Sequence, residues 1–124
     1  MNRSELDVNI LRDRNPLFVQ LSSGNIRNGY TFKIMNKSTS EQKYSISADG
    51  MNNIDIRVDR AADYTKNGDP IISVERDKLK SIKLYISVPR SELPTDSKDI
   101  TFTVKDIESE TADIQTTSFR GPKT

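Results

Sequence analysis

The chain has 124 residues, of which 33% are hydrophobic and 30% are charged, and its formal net charge is +1. Because it contains no histidine and no cysteine, it lacks the usual general base at neutral pH, thiol nucleophiles, disulfides and thiolate ligands for zinc or iron–sulfur clusters. The near balance of charge gives no electrostatic attraction to nucleic acid, and no apolar run approaches the roughly 20 residues needed to span a bilayer.

Alternation of apolar and polar residues predicts strands along most of the chain. A period of two places every second side chain on one face of a strand, whereas a helix would scatter those side chains around its circumference. The clearest example is residues 81–88, in which every even position is aliphatic. In chain order, the residues that define the predicted strands are Leu6, Val8 and Ile10; Phe18, Val19 and Leu21; Tyr30, Phe32 and Ile34; Tyr44, Ile46 and Ala48; Ile54, Ile56 and Val58; Ile71, Ile72 and Val74; Ile82, Leu84, Ile86 and Val88; Ile100, Phe102 and Val104; and Ile114 to Phe119.

Turn-forming residues separate the predicted strands at intervals of about ten residues. Examples are Ser23-Gly24-Asn25, Asp49-Gly50 and Asn67-Gly68-Asp69-Pro70. Short, half-buried strands joined by such turns are typical of a sandwich or a barrel. Since a barrel of this size usually holds a ligand, and few polar residues fall at inward positions, we prefer the sandwich. We predict one domain, residues 1–124, with an all-β fold: an immunoglobulin-like antiparallel β-sandwich of about seven to eight strands.

No candidate catalytic or metal site stands out in the sequence. Most carboxylates fall at outward strand positions or in turns, and the Asp-rich turns at residues 67–69 and 96–99 lack the ligand density of a calcium loop. The three methionines are isolated, without the spacing that would favour cuprous ion. We therefore expect no enzyme activity, no cofactor and no metal in this chain. The triplet Asn36-Lys37-Ser38 fits an N-glycosylation acceptor, but it fits a hairpin turn as well.

The segment Arg12-Asp13-Arg14-Asn15-Pro16 has two interpretations. Pro16 biases Asn15 away from helix, so the segment can be a rigid connection between the first two strands, held by local ion pairs. Alternatively, it is a docking contact, because arginine is enriched at protein interfaces. The candidate docking residues are Arg12, Asp13, Arg14, Asn15, Arg27 and Asn28.

Several segments, taken in order, match a known pattern. Asn9 to Val19 reads NILRDRNPLFV, Ile26 to Lys33 reads IRNGYTFK after Gly24, and the chain closes on Phe119 to Pro122, FRGP. This sequence resembles the C-terminal immunoglobulin-like domain of the FixG/CcoG family, the accessory proteins of the cbb-type cytochrome c oxidase. The resemblance covers nearly the whole chain and is most specific near the N-terminus.

The resemblance implies a larger parent protein. That parent would be a polyferredoxin embedded in the bacterial inner membrane, with 4Fe-4S clusters and a part in supplying copper to the oxidase. The domain would follow the last membrane helix and face the periplasm. The cluster cysteines have no counterpart in this chain, so redox activity would lie elsewhere in the parent. We expect a non-catalytic interaction or stabilising domain whose protein partner, in an oxidase assembly pathway, is unidentified.

Two other functions are alternatives for a sandwich of this kind. A carbohydrate-binding or adhesion sandwich would need exposed aromatic rings for sugar stacking, and only Tyr64 and Tyr85 are available for that role. A direct copper carrier would rest on the family's role rather than on ligands in this chain.

Overall fold

The computed structural model describes residues 6–13, 18–58, 63–66, 68–93, 96–109 and 111–122. This part of the chain contains ten strands and a three-residue 3-10 helix, Arg90–Glu92. None of its helices is long and apolar enough to cross a membrane. The strands are β1 (Leu6–Arg12), β2 (Val19–Gln20), β3 (Ile26–Asn36), β4 (Gln42–Asp49), β5 (Asp55–Val58), β6 (Asp63–Tyr64), β7 (Pro70–Val74), β8 (Lys78–Val88), β9 (Ser97–Asp106) and β10 (Ala112–Arg120).

The strands form two antiparallel sheets, which confirms the predicted all-β sandwich. Sheet A has the order β1-β3-β8-β5, and β2 pairs with β3 beyond the end of β1. Sheet B has the order β10-β9-β4-β7-β6. The count exceeds the expected seven to eight because β2 and β6, with two residues each, are too short to show an alternating pattern. The strand predicted from Phe18 to Leu21 is limited to Val19–Gln20.

The core lies between the sheets and consists mainly of residues that alternation placed inward, with Ile26, Met51 and Leu93 added to them. In β3, Tyr30 and Phe32 are fully buried, and in β9 Phe102 is fully buried. The Phe102 ring meets both others edge-on, with centroids 5.0 Å apart in each pair. Such pairs contribute roughly 0.5–1.5 kcal/mol each beyond their buried area. This aromatic cluster therefore fixes sheet A against sheet B at the centre of the sandwich.

Polar side chains close the sandwich on the side where the edge strands β1 and β10 approach each other. The Gln115 amide nitrogen donates to the backbone carbonyl of Val8 at 2.6 Å. The Tyr30 hydroxyl donates to the carbonyl of Ser118 at 2.9 Å. Burial raises the pKa of Tyr30 well above its usual value, and the positive charge of Arg12 lowers it in part.

The triplet at the end of β3 is a turn, as one of its two interpretations predicted. Asn36 is fully buried, and its side-chain nitrogen donates to the carbonyls of Ser40 at 2.9 Å and Val74 at 3.0 Å. Its side-chain oxygen accepts from the Ser38 amide at 2.9 Å. The glycosylation interpretation is wrong for the folded domain, because the nitrogen that would carry a glycan is buried and bonded.

Candidate functional site

An ion pair crosses the outer face of sheet A near the end of β1. The Asp13 amide donates to the carbonyl of Gly29 at 2.9 Å, which extends the β1–β3 pairing by one residue. The Asp13 carboxylate then accepts a hydrogen bond from the ammonium of Lys83 on β8. Both side chains are about 30% exposed, at 30% and 29%. Asp13 is therefore tied to the sheet by a residue 70 positions away. The predicted local ion pairs involve Arg14, which lies outside the described residues.

Gly29 leaves the space through which this ion pair passes. A Cβ atom at Gly29 would lie 3.1 Å from the Asp13 Cγ and well inside van der Waals distance of its Oδ2. It would also lie 3.5 Å from the Lys83 Cε. The backbone of Gly29 is not in the left-handed region, so close approach is the reason for glycine here.

Tyr85 lies beside Gly29 and carries two cations on its ring. The two residues are paired across β3 and β8. The Arg27 guanidinium carbon lies 4.9 Å from the ring centroid, and the Lys83 ammonium lies 5.9 Å from it. A cation within about 6 Å of an aromatic centroid is attracted by the negative face of the ring. Tyr85 thus holds Arg27 in a defined position on the sheet surface.

A groove surrounds Arg27 and Tyr85. One part has a volume of about 400 Å³ and is lined by Leu21, Ser23, Asn25, Arg27, Asp55, Arg57, Tyr85 and Ser87. The adjoining part has a volume of about 140 Å³ and is lined by Asp13, Phe18, Val19, Arg27, Gly29 and Tyr85. Because Arg27 and Tyr85 line both parts of the groove, we treat the two parts as one site, the Tyr85 groove. It lies across β2, β3, β8 and β5.

Two of the three cations at the Tyr85 groove are paired with carboxylates of described residues, and the third, Arg27, is not. Arg57 pairs with Asp55 at 3.0 Å, and Lys83 pairs with Asp13. Arg27 forms no ion pair with any other described residue, and its partner there is the ring of Tyr85. The groove therefore presents one cation without a carboxylate, next to polar and apolar walls. Such an arrangement can bind an anion.

The structure separates the predicted docking residues. Asp13 and Arg27 both line the Tyr85 groove. Arg12 lies on the same face of β1 as the core residues Leu6 and Val8, with its Nε buried and without a hydrogen-bond partner in the described part of the chain. The positions of Arg14 and Asn15 lie outside the described residues.

Asn28 is not a surface contact, and its assignment as a docking residue is corrected. It is 1% exposed. Its Nδ2 donates to the carbonyl of Arg120 at 2.7 Å, and its Oδ1 accepts from the Arg120 amide at 2.8 Å. The alternation within β3 indicates this burial, because Asn28 falls at an even position, on the same inward face as Tyr30 and Phe32.

Sequence reasoning missed Lys83, Arg57 and the role of Tyr85 as an anchor for Arg27. The register between β3 and β8 brings these residues together, and a single sequence does not show that register. A glycine in the interior of a strand was one available signal, since it often marks a close approach.

The two tyrosines considered for sugar stacking do not form a common platform. Tyr64 lies on β6 in sheet B, whereas Tyr85 lies on β8 in sheet A. Among the described residues, no group of three histidine, cysteine, aspartate or glutamate side chains is placed to hold a metal ion.

Comparison with known proteins identifies the domain type. Residues 1–122 match the family described as the IG-like fold at the C-terminal of FixG, a candidate oxidoreductase. A crystal structure of a FixG-related protein from Vibrio parahaemolyticus has the same fold, with a TM-score of 0.79 at 21% identity over 95% of this chain and 97% of that chain.

Two curated relatives extend the match. Nitrogen fixation protein FixG of Rhizobium meliloti (strain 1021) is 31% identical over 121 residues, which are 97% of this chain and 23% of FixG. Protein RdxB of Cereibacter sphaeroides is 31% identical over 84 residues, which are 68% of this chain and 16% of RdxB. The chain thus spans at most about a quarter of the length of these relatives. The match to the family model over residues 1–122 shows that the chain belongs to the family of immunoglobulin-like domains at the C-terminal end of FixG.

Proposed function

We propose that the chain is a non-catalytic docking and stabilising domain of a FixG-type membrane protein, acting in the assembly of a cbb-type cytochrome c oxidase and its copper supply. The observation that carries this proposal is the match to the FixG C-terminal family over residues 1–122. In the parent protein the domain would face the periplasm and contact another protein of the assembly pathway.

The chemistry of the residues supports a role in binding rather than in catalysis. The chain has no histidine or cysteine to supply a general base, a thiol nucleophile or a ligand for a 4Fe-4S cluster. Redox chemistry of the parent would belong to the remaining three-quarters of a FixG-length protein. The domain contributes a sheet surface on which the Tyr85 groove forms a recess lined by polar, apolar and charged side chains.

Deleting the domain from the full-length protein tests this role. The variant without residues 1–122 should reach a similar level in the membrane, by immunoblot, while the amount of assembled oxidase falls severalfold. A matched control replaces exposed Lys43 of β4 with glutamine in the intact protein and should leave assembly unchanged. Normal assembly and normal binding to oxidase subunits in the deletion variant would exclude the docking role.

The proposed location has its own test. Because the domain has no cysteine, Ser23→Cys introduces a single thiol at an exposed position on the rim of the groove. A membrane-impermeant maleimide added to intact spheroplasts should label this thiol in the full-length protein, as seen on the domain released by proteolysis. Labelling only after the membrane is opened would contradict a periplasmic location.

A further inference from the structure

We propose that the Tyr85 groove binds an extended acidic segment of a partner protein, with a carboxylate on Arg27 and an apolar side chain against the β2 side of the groove. This inference rests on the proposed docking role and names the chemistry of the partner. It assigns a ligand class to a surface that the family match leaves without one.

Arg27 supplies the main reason for an anionic ligand. Its guanidinium is held 4.9 Å from the centre of the Tyr85 ring and forms no ion pair with any other described residue. The attraction between the cation and the ring is electrostatic, so it holds the guanidinium near Tyr85 and leaves N–H donors for a ligand. A guanidinium fixed in this way can bind a carboxylate through two parallel hydrogen bonds.

Arg57 can join Arg27 at small cost. Its ion pair with Asp55 is exposed, with side-chain exposures of 78% and 53%. Exposed pairs of this kind contribute little to stability, so a ligand carboxylate can compete for the Arg57 guanidinium. Both arginines line the larger part of the groove. The site thus has one cation without a carboxylate partner among the described residues, Arg27, and a second, Arg57, that can exchange Asp55 for a ligand carboxylate.

The walls of the groove fit a peptide chain. Ser23, Asn25 and Ser87 line the larger part and offer hydrogen-bonding groups to a ligand backbone. Val19 and Leu21 add apolar surface on the β2 side. A polar wall, an apolar wall and a fixed cation together suit an extended segment in which an acidic residue lies close to an apolar one.

The position of the groove favours a protein over a membrane surface as the source of the anion. Leu6, where the described part of β1 begins, pairs with Asn36 at one end of β3. Arg27 lies at the other end of this eleven-residue strand, about 30 Å away. In FixG the matched domain is C-terminal, so the rest of the protein joins at the Leu6 end. The groove then lies at the end of the sheet far from the junction with the preceding chain and from a membrane that holds that chain.

The two cations near the Tyr85 ring disfavour a carbohydrate as the ligand of the groove. Sugar stacking needs an open aromatic face, and Arg27 and Lys83 both lie within 6 Å of the Tyr85 ring centre. The two cations compete with a sugar for that face. They instead attract a negatively charged group.

Titration of the isotope-labelled chain by NMR tests the inference directly. The first probe is a short blocked peptide of alternating glutamate and leucine, and the second replaces each glutamate with glutamine. The third probe is a vesicle of phosphatidylglycerol and phosphatidylcholine. The acidic peptide should bind saturably, shift the amide signals of Arg27, Tyr85 and Ser87, and lose affinity as salt is raised. The glutamine peptide should bind at least about tenfold more weakly.

Variants locate the binding. Arg27→Gln should lower the affinity for the acidic peptide at least about tenfold, and Arg57→Gln should lower it less. The matched control is Lys33→Gln, an equal change of charge at an exposed position on the outer face of the same sheet, away from the groove. It should leave the affinity within about twofold. Thermal unfolding of each variant checks that the domain is intact.

The outcomes separate this inference from the proposed function. Equal binding by wild type and Arg27→Gln, equal binding of the two peptides, or Arg27-dependent binding of the vesicle alone would each overturn the peptide site. If these results came with a loss of oxidase assembly on domain deletion, the docking role would stand and only the groove assignment would fall. If the acidic peptide bound as expected but deletion left assembly normal, the proposed function would fall instead.

Discussion

Asn28 and Arg120 exchange two hydrogen bonds, one from the side-chain amide to the Arg120 carbonyl at 2.7 Å and one from the Arg120 amide to the side-chain oxygen at 2.8 Å. The first residue belongs to β3 of sheet A and the second ends β10 of sheet B. The Asn28 side chain therefore links two sheets whose described strands share no backbone hydrogen bonds with each other. Asn28, named as a candidate docking residue from the sequence, is instead part of the contact that closes the sandwich.

Replacing Asn28 with alanine should destabilise the domain by about 2–4 kcal/mol, because it leaves the amide and the carbonyl of Arg120 without their partner. Urea unfolding followed by circular dichroism measures the change. The control is Asn9→Ala, at an exposed position on β1, which should change stability by less than about 0.5 kcal/mol. Equal effects at the two positions would show that the Asn28 bonds carry little weight.

Gly29→Ala should have opposite effects in two backgrounds. In the wild-type chain the new methyl group collides with the Asp13 carboxylate and displaces it from Lys83, so stability should fall. In the Asp13→Ala background the collision is gone, and alanine in a strand should stabilise by roughly 0.5–1 kcal/mol relative to glycine. Stability of the four proteins, from denaturant unfolding, gives the coupling. A Gly29→Ala effect of the same sign and size in both backgrounds would contradict the close approach.

Tyr30 should make the domain sensitive to alkaline pH. Burial raises the pKa of Tyr30 in the folded state above the unfolded value of about 10. The contribution of the neutral hydroxyl to folding stability is therefore fully present below about pH 10 and is lost as the pH rises further. The wild-type stability should therefore fall more steeply above about pH 10 than that of Tyr30→Phe. At neutral pH the variant should be less stable by about 1 kcal/mol, since it loses the bond to Ser118. Parallel pH profiles for the two proteins would be inconsistent with this role.

Asn36→Ala should cost about 2–4 kcal/mol, because the fully buried amide bonds to two carbonyls and one backbone amide at the end of β3. The neighbouring Lys37→Ala, at an exposed position, is the control and should be close to neutral. Thermal unfolding of both variants compares them. A tolerated change at Asn36 would remove the structural explanation of the turn.

The sequence predicts the architecture far better than the site. Alternation identifies Tyr30 and Phe32 as inward because each residue's face follows from its position within its own strand. The Asp13–Lys83 pair and the Arg27–Tyr85 contact depend on which strands neighbour each other and in what register, which is a property of the whole chain. Local rules cannot supply that information for residues 70 positions apart.

The polar residues of the interior illustrate the same limit. Asn28 and Asn36 fall in the inward series of β3, so their burial could have been read from parity. Their long-range partners could not, because the Arg120 backbone and the Val74 carbonyl belong to the other sheet. A buried amide without a visible partner is easily mistaken for a surface residue in a sequence.

The most direct test of the account is the amount of assembled cbb-type oxidase in membranes that carry the full-length protein with Arg27→Gln and Arg57→Gln together. The account predicts a severalfold loss, approaching that of domain deletion, while the level of the variant protein stays normal and Lys33→Gln assembles as wild type. Full assembly in the double variant, alongside a loss on deletion, would contradict docking through the Tyr85 groove.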